Sequence, residues 1–171
     1  MSFSFVPFFF VFKLITFCLW LLAGLLVAGI FPRPVARAAA AVRTSFWPVM
    51  GIGLLGIALF TTLVIFAALL SLVLIGIPIL IVLVWAGFVI KIFGRVVLFY
   101  VFGESLLKAF RSKRITALGA VLLGVVVVSI AGLVPILGFL FLVALNVAGW
   151  GVAIRTKFGT TENMFRPKSG T

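Results

Sequence analysis

The chain has 171 residues, of which 65% are hydrophobic and 9% charged, and its formal net charge is +12. Soluble domains carry roughly 25% charged residues, so the polar groups here are too few to cover a water-exposed surface. A water-soluble monomer and a disordered chain are both excluded, and the composition is that of an all-α integral membrane protein.

The cations number 14 against two acids, Glu104 and Glu162, and histidine is absent. In a soluble protein that balance points to nucleic acid. Here the basic residues punctuate apolar runs and form no stripe interleaved with aromatics, so they read as topology markers and contacts with anionic headgroups. Cys18, the single cysteine, lies in an apolar run. It allows no intrachain disulfide and joins no Cys/His cluster, so neither a metal nor a cofactor is expected.

A bilayer core of ~30 Å takes about 20 apolar residues per helix. The first predicted span covers residues 14–31. A basic n-region is missing before it, so it reads as a retained membrane segment and not as a signal peptide. Lys13, at its edge, can snorkel to the headgroups. Phe31-Pro32-Arg33-Pro34 ends the span, because proline is excluded from helix interiors. Residues 35–47 then read either as a short basic amphipathic helix in the interface, with Pro34 as its first residue, or as a plain basic loop.

From Pro48 to Ile90 there is no charge, and the length suits two spans, 49–74 and 79–97, divided at Gly76-Ile77-Pro78. Lys91 and Arg95 share a face and are expected near the far interface. Residues 104–114 form a second basic amphipathic segment, with Glu104 and Lys108 in the favourable i,i+4 order. A second uncharged stretch, Ile115 to Ile154, divides at Gly132-Leu133-Val134-Pro135 into spans 115–133 and 136–154. The expected organisation is a single membrane domain over 1–157 with about five spans, and a polar cytoplasmic tail over 158–171.

The charges agree with this count. If all five segments cross, 13 of the 14 cations fall on one side, and the turns at Pro78 and Pro135 carry none. The expected location is the inner (plasma) membrane of the cell, and the positive-inside rule then places the N-terminus outside and the C-terminus in the cytoplasm. Re-entrant hairpins at the two Pro turns would give the same sidedness. Gly51-Ile52-Gly53-Leu54-Leu55-Gly56 is similar to Gly119-Ala120-Val121-Leu122-Leu123-Gly124, and Ile77-Pro78-Ile79-Leu80 to Val134-Pro135-Ile136-Leu137. That pattern is either a parallel internal repeat or the coincidence that Leu/Val/Gly-rich chains produce.

The layout resembles the multi-span membrane domain of bactofilin-like, polymer-forming cytoskeletal bacterial proteins. Phe31-Pro32-Arg33, Gly76-Ile77-Pro78-Ile79, Leu133-Val134-Pro135-Ile136-Leu137-Gly138 and Ala148-Gly149-Trp150-Gly151 carry the resemblance. The polymerising β-helical domain of that family has no counterpart here. The resemblance implies a membrane anchor or scaffold and brings no catalytic residues with it.

Acid/base and nucleophilic chemistry need a positioned histidine, carboxylate or activated nucleophile. Glu104 reads as the partner of Lys108, and no enzyme is expected. Asn146, the one strongly polar side chain well inside a span, reads as interhelical glue or as part of a solute path. Small-residue pairs, Gly24 with Ala28, Ala120 with Gly124 and Ala144 with Ala148, allow close helix approach. The expected helix-packing and partner-contact residues are Gly24, Ala28, Gly119, Gly124 and Asn146, with residues 8–30 as the main surface for a neighbouring subunit. Those expected at lipid headgroups are Arg33, Arg37, Arg43, Lys108, Arg111, Lys113 and Arg114. The expected function is a non-catalytic membrane scaffold or accessory subunit that assembles with itself or with a larger complex. The alternative is a small transporter or channel with its path between the two helical hairpins.

Overall fold

A computed structural model describes residues 5–110, 116–132 and 135–159. The described chain is helical: α1 Phe5–Ile30, α2 Pro32–Thr44, α3 Phe46–Leu70, α4 Gly76–Ala109, α5 Ala117–Ala131 and α6 Pro135–Arg155, with a single 3-10 turn at Ser71–Val73. Among the described residues, α1, α3, α4 and α6 are long and apolar enough to cross a membrane. The 15 residues of α5 rise only about 22 Å, short of a bilayer core. The described helices thus include four of spanning length where five were expected; residues 115 and 133 lie outside the described residues.

The prolines explain where the boundaries moved. Pro7, Pro32, Pro34, Pro48, Pro78 and Pro135 all fall in the first three residues of a helix. There the missing N–H has no intrahelical acceptor to lose, and the fixed φ favours the helical turn. Trp47-Pro48 therefore begins α3 and does not close α2, which ends at Thr44. Gly76-Ile77-Pro78 opens α4; the break lies before it, where Leu74 takes a left-handed φ of 61°. The expectation that α4 stops near Val97, with a separate basic segment after it, also fails. α4 runs unbroken for 34 residues to Ala109, and Lys108 in its last turn complements the helix dipole. Residues 111–115, with Arg111, Arg114 and Lys113, lie outside the described residues.

Packing exchanges the partners that chain order suggested. α5 packs most extensively on α4, and α6 on α3, while α5 and α6 barely touch. The two principal crossings share one device. A Cβ on Gly53 would collide with the carbonyl oxygen of Val147, and a Cβ on Gly151 with that of Val49. Between α4 and α5, a Cβ on Gly124 would collide with the carbonyl oxygen of Phe99, and a Cβ on Gly103 with that of Ala120. Each crossing is antiparallel and places a glycine beside the carbonyl of the residue four positions before the partner's glycine. The backbones come so close that only hydrogen fits between them, which is how small residues hold helices together where no water is expelled. Gly94 and Gly149 make a third close approach, between α4 and α6.

The core lies around the second half of α4, where Val96, Val97, Leu98 and Phe99 are buried together with Val121, Val125, Val152 and Ala153. Outside it, α3 and the first half of α4 expose Leu54, Leu55, Leu59, Ile81, Trp85 and Phe88. That is the surface a lipid-facing bundle presents, not one for water.

Candidate functional site

One end of the bundle gathers the charged ends of the helices. α2 is amphipathic, and its apolar face, Val35, Ala38, Ala39 and Val42, is buried against the rest of the chain. Arg43 of α2 reaches Glu104 of α4: its Nη1 donates to Oε1 at 2.8 Å, and its Nη2 donates to Oε2. Lys108, one turn further along α4, pairs with the same carboxylate at 2.8 Å. The Glu104 carboxylate raises the Arg43 guanidinium above its ordinary pKa, chiefly through the hydrogen bond. The Glu104–Lys108 pair expected from spacing is present, and Arg43 joins it. Arg43 and Lys108, expected at headgroups, thus share their charge with a protein carboxylate, whereas Arg33 and Arg37 are exposed.

Past α6 the chain stays packed. Arg155 donates from Nη1 to the Ser45 carbonyl at 3.3 Å. Thr156 is fully buried, Phe158 stacks edge-on against Phe93, and Gly159 lies against the Pro34 backbone. The polar tail expected from 158 therefore begins as part of the fold; residues 160–171 lie outside the described residues.

The first span does not stand apart. α1 runs antiparallel to α5 and also touches α4. A Cβ on Gly24 would lie 2.9 Å from Val121 Cγ1, and Ala28 is buried in the core. The two small residues expected to meet a partner subunit are spent inside the chain. Gly124 packs helices as expected, while the Cβ position of Gly119 meets the hydroxyl of Thr116, which caps α5 by accepting from the Gly119 N–H at 3.2 Å. Asn146 donates from Nδ2 to the Leu142 carbonyl of its own helix at 2.9 Å. Beside it, Lys91, Arg95, Gly149 and Trp150 frame a recess too narrow for a water molecule.

Sequence reasoning missed one cavity. A cleft of about 620 Å³ opens among α1, α4 and α5, with Leu142 of α6 at its margin. Its walls are mostly apolar, Phe17, Trp20, Phe99 and Val126 among them, yet it holds two cations, Lys13 and Arg95, and the hydroxyls of Thr16 and Ser129. The Arg95 guanidinium sits 4.3 Å from the centre of the Trp20 ring, within cation–π range. Lys13 Nζ lies 3.5 Å from the Gly132 carbonyl. Lys13, expected at the edge of the first span, and Arg95, expected near the far interface, both line this one cleft. Nothing in either residue's local sequence carries that contact. No family model matches the chain, and no curated protein or solved structure matches it.

Proposed function

We propose that the chain is a non-catalytic integral membrane scaffold or accessory subunit, which assembles with itself or with a larger membrane complex. The observation that carries this reading is the commitment of Glu104, held by Arg43 on one side and Lys108 on the other. Two bound cations keep a carboxylate ionised and occupied, the opposite of what a general acid or base requires. What the described chain offers a partner is a rigid, glycine-locked core and a broad apolar exterior. The resemblance to the membrane domain of bactofilin-like proteins points the same way.

The end bearing Arg33, Arg37 and Arg43 is assigned to the cytoplasmic face, where anionic headgroups attract basic groups. The N-terminus is assigned to the outside. A solute path between the helical pairs near Asn146 would have to open where Gly94 and Gly149 hold two backbones together, so the scaffold reading is preferred. Extraction into native lipid particles followed by cross-linking and mass measurement tests it. The expected result is a species larger than one chain with fixed stoichiometry. A lone monomer at native expression level would overturn the proposal.

A further inference from the structure

We infer that the cleft between α1, α4 and α5 is a binding site for one anionic phospholipid, whose phosphate sits between Lys13 and Arg95. This inference rests on the membrane placement of the bundle and not on the scaffold reading. Arg95 of α4 is half-buried against the Trp20 ring, in a cleft whose walls are mostly apolar. A cation taken out of water in this way is costly unless an anion accompanies it. The protein does not supply that anion among its described residues. The described residues of the cleft lining include no carboxylate, and Glu104, nine residues further along α4, is already bound by Arg43 and Lys108. The Trp20 ring stabilises the guanidinium from one face but leaves its formal charge uncompensated.

The walls decide between anions. A small free phosphate would meet the charge of Arg95 and leave Phe17, Phe99 and Val126 facing nothing. A phospholipid brings the charge and the hydrocarbon together, and it reaches the site sideways through the bilayer without crossing water. A cleft of about 620 Å³ falls within the ~300–1,000 Å³ of ordinary ligand sites, enough for a headgroup and the upper part of the acyl chains. Ser129 adds a hydroxyl to the lining. The hydroxyl of Thr16 donates to the Phe12 carbonyl at 2.8 Å, so it contributes polarity but not a proton.

The full chain, purified in neutral detergent, is titrated with phosphatidylglycerol and, separately, with phosphatidylcholine, and the adducts are counted by native mass spectrometry. The wild-type chain is expected to retain one phosphatidylglycerol in preference to phosphatidylcholine. Arg95→Gln and Lys13→Gln should each weaken retention by about tenfold or more, as loss of one charge-assisted contact does. Arg37→Gln, on the exposed basic end, should leave it unchanged. Inorganic phosphate in excess should not displace the lipid; if it does, the site is a plain anion site and the phospholipid assignment falls. Should Arg95→Gln fail to fold, Arg95→Lys and Val126→Trp carry the test. The first keeps the charge and should retain the lipid, and the second fills the cleft and should lose it. Equal retention by wild type, Arg95→Gln and Val126→Trp, or equal binding of the two lipids, would overturn the inference.

Discussion

Arg43 and Glu104 lie 61 residues apart in the chain and meet fork to fork, both guanidinium Nη atoms on both carboxylate oxygens. The pair ties α2 to the last third of α4, and Lys108 closes the other side of the carboxylate. An amphipathic basic helix free in the interface would need no such partner. Here α2 is a packed element of the bundle, with its apolar face turned inward and an ion pair holding its end.

Breaking that pair should loosen α2 without dissolving the bundle. Glu104→Gln and Arg43→Gln are each expected to cost about 1.5–3 kcal/mol, the range for hydrogen bonds to charged groups. In a double-mutant cycle read by thermal unfolding in mild detergent, the second substitution should add little once the first is made. Full additivity would show that the two residues do not act together.

The glycine crossings predict a sharp contrast within one helix. Gly53→Ala, Gly103→Ala and Gly124→Ala each push a methyl group into a backbone carbonyl that cannot move aside. Each should cost about 1–3 kcal/mol or more, as overpacking does. Gly51, two residues from Gly53, has nothing within 4 Å of its Cβ position. Gly51→Ala should be neutral or stabilising by up to about 1 kcal/mol, from helix propensity. The melting midpoints of the four variants, compared in one detergent, check the pattern.

Gly24 tests whether α1 is an internal element or an assembly handle. Its Cβ position lies against Val121 of α5, so Gly24→Leu should lower the unfolding midpoint and free α1 from α5. The distribution of cross-linked oligomers per folded chain should be unchanged. Loss of oligomers with the midpoint intact would return α1 to the role of an exposed contact surface.

Asn146 satisfies itself on the Leu142 carbonyl within α6 and bridges no helices in this arrangement. Asn146→Leu is therefore expected to cost no more than about 0.6 kcal/mol, the average for polar contacts in a membrane bundle. Thermal unfolding of the variant beside wild type measures it. A cost above about 2 kcal/mol would reveal a partner on another helix.

Much of this architecture is legible in the sequence because long uncharged runs can hardly be anything but lipid-compatible helices. α6 matches its expected range to within a residue at each end, and α2 covers Pro32–Thr44 where residues 35–47 suggest either a helix or a loop. The failures have specific causes. From spacing alone Pro32, Pro48 and Pro78 read as breaks, but each sits in the first turn of a helix, so those boundaries slide. The charges at Lys91 and Arg95 suggest a span that ends near 97, whereas α4 runs on to Ala109. Arg95 rests on the Trp20 ring, a contact that depends on how α1 packs. Spacing also cannot say which glycine of Gly51, Gly53 and Gly56 faces a neighbour. That is set by the helix rotation, which α6 decides. The cleft was invisible for the same reason, since Lys13 and Arg95 are 82 positions apart in the sequence.

The orientation of the bundle gives the last prediction. α3 has 25 residues and rises about 37 Å, more than the ~30 Å of hydrocarbon it must cross, so its two ends belong at opposite interfaces. Arg37 lies at the end where α3 begins, and Ile77 at the end where α4 begins; both are exposed. In a Cys18→Ser background, Ile77→Cys is expected to react with a membrane-impermeant maleimide added to intact cells. Arg37→Cys should react only after the membrane is permeabilised, because the proposed orientation puts the basic end in the cytoplasm. Reaction of Arg37→Cys alone from outside would invert the topology. Failure of Ile77→Cys to react before or after permeabilisation would mean that α3 and α4 enter the bilayer and return without crossing. Such a hairpin would have to bury the 25 residues of α3 within a single leaflet.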